Sequence, residues 1–346
     1  MRKLILMLCI VICMAIPVNA MDFMAPAVPH GAQEYMPNGT ESFAEGLWYI
    51  LKVAISKLQP SLTEAAGVCL SLFAMVMLVS LLQKFSEHTK KTAQLVCTLG
   101  IGMILLYPTN SLIALGRQTV TELSDYGKLL LPVLTGALAA QGGTTSSAAL
   151  YTGTAIFDAI LSSVISKIIV PMLYVYLCLC VANSISEETL LKKIRDFVKW
   201  AMTWSLKIVL YVFTGYISIT GVISGTADAA TIKATKLAIS GAVPVVGSIL
   251  SDASETILVS AGVMKSAVGI YGLLAALAVW IGPFLHIGSQ YILLKVTAAT
   301  CGVIGTKVST ALIDDFSSAM GFLLAMTGAV CLLLLISTVC FMKGVS

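Results

Sequence analysis

Charge is scarce in this sequence. Of 346 residues, only 11% are Asp, Glu, Lys or Arg, against about 25% in ordinary soluble domains. Histidine occurs three times, at His30, His88 and His286. None falls in an HExxH pattern, which excludes a zincin site. No GxSxG elbow, Walker A sequence or GxGxxG run occurs, so hydrolase, nucleotidase and dinucleotide-binding readings have no support. No catalytic residue, cofactor or metal-ligand set is assigned, and the chain reads as a non-enzyme. Basic patches with interleaved aromatics are also missing, and a net charge of +4 argues for no nucleic-acid partner. Nine cysteines are present without a CxxC. Cys9 and Cys13 lie near the start, and the other seven sit inside apolar runs. They read as small buried hydrophobes rather than a disulfide framework.

What is present is apolar, with hydrophobic residues making up 58% of the chain. A soluble fold of this length could not hide so much apolar surface, so the sequence predicts an all-α polytopic membrane protein. The first 20 residues, MRKLILMLCIVICMAIPVNA, set Arg2 and Lys3 before an apolar core, then Pro17 and a small-residue site. This is the pattern of a secretory signal peptide cleaved after Ala20, with an uncleaved anchor as the alternative. Both place residue 21 outside the cytoplasm. Residues 21–64 form an extracytoplasmic polar segment. Within it, Phe43, Leu47, Ile50, Leu51, Ala54 and Leu58 recur at helical spacing. They predict an amphipathic helix over 41–59, lying on the bilayer or on a partner.

Apolar runs at 65–82, 93–115, 168–183, 201–225, 266–285, 288–306 and 319–342 predict seven spans, each near the ~20 residues that cross a hydrocarbon core. Lys84, Lys90, Lys91, Lys192, Lys193, Arg195, Lys199 and Lys343 crowd the segments 83–92, 184–200 and 343–346. The positive-inside rule assigns these to the cytoplasm, and with them the C-terminus. Residues 184–200 read as a cytoplasmic amphipathic helix, with Leu190, Leu191, Ile194, Phe197 and Val198 as its stripe and its cations facing anionic head groups. Residues 129–165, broken by Gln141-Gly142-Gly143, read as a re-entrant hairpin or two weak spans. Gly221 and Gly225 form a GxxxG pattern compatible with tight packing or a homo-oligomer.

Polar residues in apolar surroundings are the candidate functional positions. Lys295 lies deep in its run, where a lysine costs about 2.5–3.5 kcal/mol unless it faces a partner or a polar interior. Asp158 and Asp252 are its candidate partners. A solute pathway and a structural ion pair both remain open there. Asp314-Asp315 reads as a solvated loop pair. The segment 226–262 carries a Gly/Pro break at Gly241, Pro244 and Gly247. An amphipathic turn follows, with Asp252 and Glu255 on one face. It is expected to be an outer re-entrant or interfacial element, a geometry tolerated at membrane depth only against protein or water.

Three stretches carry a resemblance: GYISITGVISGTADAATIKATK, KLAISGAVPVVGSILSDASETILVSAGVMKSAVGIYGLLA and PFLHIGSQYILLKVTAA. The sequence resembles the stage III sporulation protein AE family of endospore-forming bacteria over most of its length. The resemblance implies a multi-span protein of the mother-cell membrane around the forespore. It would act in a channel-like, secretion-like complex with the other membrane proteins of its operon and with a forespore membrane partner. The alternative is a stand-alone secondary transporter, for which Lys295, Asp158 and Gly/Pro-broken helices would be the working parts.

Overall fold

The computed structural model describes residues 26–37, 42–85, 90–140, 144–186, 188–219, 267–304 and 306–343. The predicted signal peptide lies outside these residues. So does the element at 226–262, with Gly241, Pro244, Gly247, Asp252 and Glu255.

Among the described residues every regular element is helical. A 3₁₀ turn, His30–Tyr35, precedes α1 (Phe43–Ser56), α2 (Leu58–Phe85) and α3 (Lys90–Ala140). Then come α4 (Thr144–Val164), a π-turn at Ile165–Ile169, and α5 (Val170–Ser186), which continue one another as a single rod. The chain ends in α6 (Thr189–Ile219), α7 (Ala267–Ile304) and α8 (Lys307–Lys343). Among the described residues five stretches are long and apolar enough to cross a membrane: Leu58–Leu81, Lys91–Gly136, Leu150–Ser186, Val268–Ile304 and Lys307–Met342.

Five replaces the expected seven for two reasons. The runs 266–285 and 288–306 are one helix, α7, which passes through Pro283 without ending. A proline removes one backbone bond, but neighbouring helices can hold the chain straight around it. Residues 201–219 of the run 201–225 are the second part of α6, whose first turns carry Lys192, Lys193, Arg195, Asp196 and Lys199, and this helix is not among the five. The segment 129–165 is also resolved. Residues up to Ala140 complete α3, and α4 starts at Thr144 and packs back against it.

α8 is the axis of the bundle. Its residues from Phe316 to Leu335 are all buried, as expected of a helix apolar on every side. Its hydroxyls are satisfied within the helix: Thr327, Ser337 and Thr338 donate to carbonyls one turn back, at Leu323, Leu333 and Leu334. α7 runs antiparallel beside it. Ala276 faces Cys331 near one end, and Tyr291 accepts a bond from Ser317 toward the other. α3 runs parallel to α8, with Gly116 against Met326 and Gly127 against Leu334. At Gly272, where a Cβ would stand 2.8 Å from the Leu130 side chain, the missing side chain lets α7 and α3 pack closely.

These contacts give the bundle two ends. At one, Ser80 donates to the Ile304 carbonyl, Cys97 meets Ser309, and Val181 lies over Gly102. At the other, Gly269 lies under Met342 and Leu130 under Gly272. The last turn of α8 is therefore at the opposite end from the α2–α3 connection and the start of α6. Residues 286–287, expected to form a turn, are inside α7.

α1 occupies Phe43–Ser56 and buries Phe43, Gly46, Ile50 and Ala54, while Leu51, expected on the same stripe, is exposed. No disulfide joins the described cysteines, most of which are buried.

Candidate functional site

The polar groups of the bundle collect at two places. The larger forms around Asp314 and Asp315, on the second turn of α8 and not in a loop. Adjacent residues on a helix point about 100° apart, so the two acids serve different neighbours. Asp314 faces α7, where Lys295 Nζ donates to its Oδ1 at 2.6 Å. Asp315 faces α5 and α6. Arg195 Nη1 donates to its Oδ2 at 2.7 Å, and Tyr176 Oη donates to its Oδ1 at 3.3 Å.

Burial separates these pairs. The side chains of Arg195 and Asp315 are each 13% exposed, whereas Lys295 and Asp314 are 39% and 47% exposed. The first pair is a desolvated cross-link between helices. The second is a half-wet contact of small net worth. Arg195 completes its fork on Asp196, through Nε at 3.1 Å and Nη2 at 2.8 Å. Lys199, one turn on, donates to Ser318 at 3.3 Å. Three helices are thus fastened to the central one within one helical turn.

The second place lies between α3 and α4. Asp158 is 7% exposed, and Ser124 Oγ donates to its Oδ2 at 2.7 Å. The nearby cation, Lys128, is spent on Asp125 at 2.8 Å, in a pair that faces outward. One turn before Asp158, the hydroxyl of Thr154 is buried with no partner among the described residues, and so is that of Tyr126.

The candidate residues therefore separate. Lys295 is paired with Asp314 and not with Asp158. Asp158 has a hydroxyl partner on α3, so the two do not share a cavity. Asp252 and the other candidates of 226–262 are outside the described residues. Sequence reasoning missed Arg195, Asp315 and Tyr176. The available signal was that apolar periodicity runs on either side of Asp314-Asp315 without a turn residue, which favours a helix through the acids. Of the stripe expected on 184–200, Leu190, Ile194 and Phe197 are exposed, Leu191 is half-buried and Val198 is buried, while Arg195 pairs with Asp315. Among the described residues no group of three His, Cys, Asp or Glu side chains could hold a metal ion. What the arrangement supplies is electrostatic: fixed charges at helix crossings.

The family model for Stage III sporulation protein AE matches residues 33–344. The Stage III sporulation protein AE of Bacillus subtilis (strain 168) is 22% identical over 319 residues, covering 91% of this chain and 79% of that protein. No solved structure matches.

Proposed function

The chain belongs to the stage III sporulation protein AE family, and on that premise we propose that it is a multi-pass membrane component of a channel-like complex between mother cell and forespore. The complex would serve endospore development after engulfment. In this reading it works without catalysis of its own, alongside other membrane proteins of the stage III operon and a forespore membrane partner. The observation that carries the membrane part is α8. A largely apolar, mostly buried helix at the axis of a bundle of long apolar helices is a scaffold suited to lipid.

The topology that fits the contacts differs from the one expected. Five apolar helices cross. α6 crosses with them, because it climbs beside the α4–α5 rod from Arg195, level with Asp315, to Tyr216, against Gly153. Its outer face there is Trp204, Ile208, Tyr211 and Val212. With the lysine-rich ends of α2, α3 and α6 in the cytoplasm, six crossings put the end of α8 outside. The cytoplasmic C-terminus counted on two spans at 266–306, which are one helix. The stand-alone transporter is the weaker reading, because among the described residues Lys295 pairs with Asp314 and Asp158 with Ser124, not with each other.

The test is a clean deletion in the source bacterium, scored for growth, then for spore formation by microscopy and heat-resistant counts. Normal growth with arrest after engulfment is expected. A growth or solute-uptake defect with normal spores would sink the proposal and promote the transporter. Alkaline phosphatase fused after Lys343 should be active, and inactivity there would overturn the topology alone.

A further inference from the structure

An arginine on the outer surface of a membrane span needs a partner, and Arg117 has no acid partner among the described residues. It is exposed, and it lies within the apolar stretch Lys91–Gly136. Among the described residues no acid stands within ion-pair distance of it. The nearest acid along the helix, Glu122, accepts a bond from Gln118 at 2.8 Å. Left unpaired at the centre of a span, an arginine costs about 2.5–3.5 kcal/mol.

Beside Arg117 is an open groove of about 400 Å³ between α3 and α5. Its floor is apolar, with Ile113 and Val170 buried beneath it. Gln118 and Thr121 edge one side. Tyr174 closes the lower end, its hydroxyl donating to Asn110 at 2.9 Å. The π-turn Ile165–Ile169 abuts the groove at Val170, and π-turns often mark functional positions. It carries a second exposed cation, Lys167, which also has no ion-pair partner among the described residues. Arg117 thus lines an apolar channel that opens to the surroundings of the bundle, and Lys167 lies three residues before its lining residue Val170, neither cation paired with an acid among the described residues.

We propose that this groove binds an anionic phospholipid. Arg117 and Lys167 hold the phosphate, and an acyl chain lies over Ile113 and Val170. Arginine suits the role because its planar fork matches phosphate oxygens. The groove's apolar floor distinguishes a lipid from a free anion, which would leave that surface uncovered. The proposal rests on the membrane reading above.

The test uses the full chain, purified in mild detergent, stripped of lipid and titrated with phosphatidylglycerol, phosphatidylcholine or inorganic phosphate under native mass spectrometry. Phosphatidylglycerol should bind in preference to phosphatidylcholine. The variant R117Q/K167Q should weaken that binding by about fivefold per charge removed. A114W, which fills the groove and keeps both charges, should also weaken it. That variant decides the matter if R117Q/K167Q fails to fold. Equal binding of the two lipids, full binding by A114W or R117Q/K167Q, or equal protection by phosphate alone would overturn the proposal. Carbonate extraction of membranes separates the two readings: release of the chain would sink the membrane assignment itself, whereas retention with unchanged lipid binding in the variants would sink only the lipid site.

Discussion

Asp315 and Asp158 are two carboxylates carried into the same apolar bundle, and their partners differ. Asp315 meets a guanidinium and a phenol across helices. Among the described residues Asp158 hydrogen-bonds a serine hydroxyl and makes no ion pair. A buried ion pair can lose as much by leaving water as it gains by attraction, yet losing one partner is severe. A buried acid that needs only a hydroxyl carries no such dependence. The first arrangement therefore fixes geometry among three helices. The second tolerates change.

Substitutions can break this contrast. Arg195→Leu strands Asp315 and should destabilise the protein by about 3–5 kcal/mol, read by thermal unfolding in detergent. Arg195→Leu with Asp315→Leu should recover most of that loss. If the single and double variants are equally unstable, the pair is not what fixes the crossing. Asp158→Leu should lose about 1–3 kcal/mol, because the Ser124 hydroxyl is left buried and unpaired. Asp158→Asn, which keeps an acceptor for Ser124, should lose less than about 1 kcal/mol. A large loss in the asparagine variant would show that Asp158 needs its charge. Lys295→Met breaks a half-exposed pair and should cost about 0–1 kcal/mol. A loss as large as that of Arg195→Leu would erase the distinction between the two acids of α8.

The smallest effect lies outside the spans, where Lys57 bonds Glu34 and stands 5.2 Å from the Tyr35 ring. The hydrogen bond from Lys57 holds the Glu34 carboxyl below its ordinary value. The pair's contribution is therefore present above the ordinary glutamate pKa and fades as pH falls through the lowered one. Hydrogen exchange over residues 30–57 should rise on acidification in the native chain and lose that dependence in Glu34→Gln.

The helical class, the amphipathic α1 and the positions of most apolar runs were legible because they depend on local periodicity and composition. The two nodes were not legible, because their partners are distant in sequence. Arg195 and Asp315 are 120 residues apart, and an acid pair without its partners looks like a loop. The boundary expected between 285 and 288 failed in the same way, since α7 runs unbroken from Ala267 to Ile304. Lys295 was correctly singled out as needing a partner. Asp314 was adjacent to the next span and was assigned to water instead.

The π-turn in the α4–α5 rod sets the phase of everything after it. Asp158 and Tyr176 are 18 residues apart (176 − 158), about five whole turns at ~3.6 residues each. In an unbroken helix they would stack on one face and compete for one neighbour. The additional residue in the π-turn rotates the later half by about 100°. Asp158 can then address α3 while Tyr176 addresses α8. Deleting Ser166 would keep nearly every residue and its hydropathy, yet dial Tyr176 away from Asp315. In this rod one inserted residue acts as a gear tooth, and the alignment of both polar nodes depends on its count.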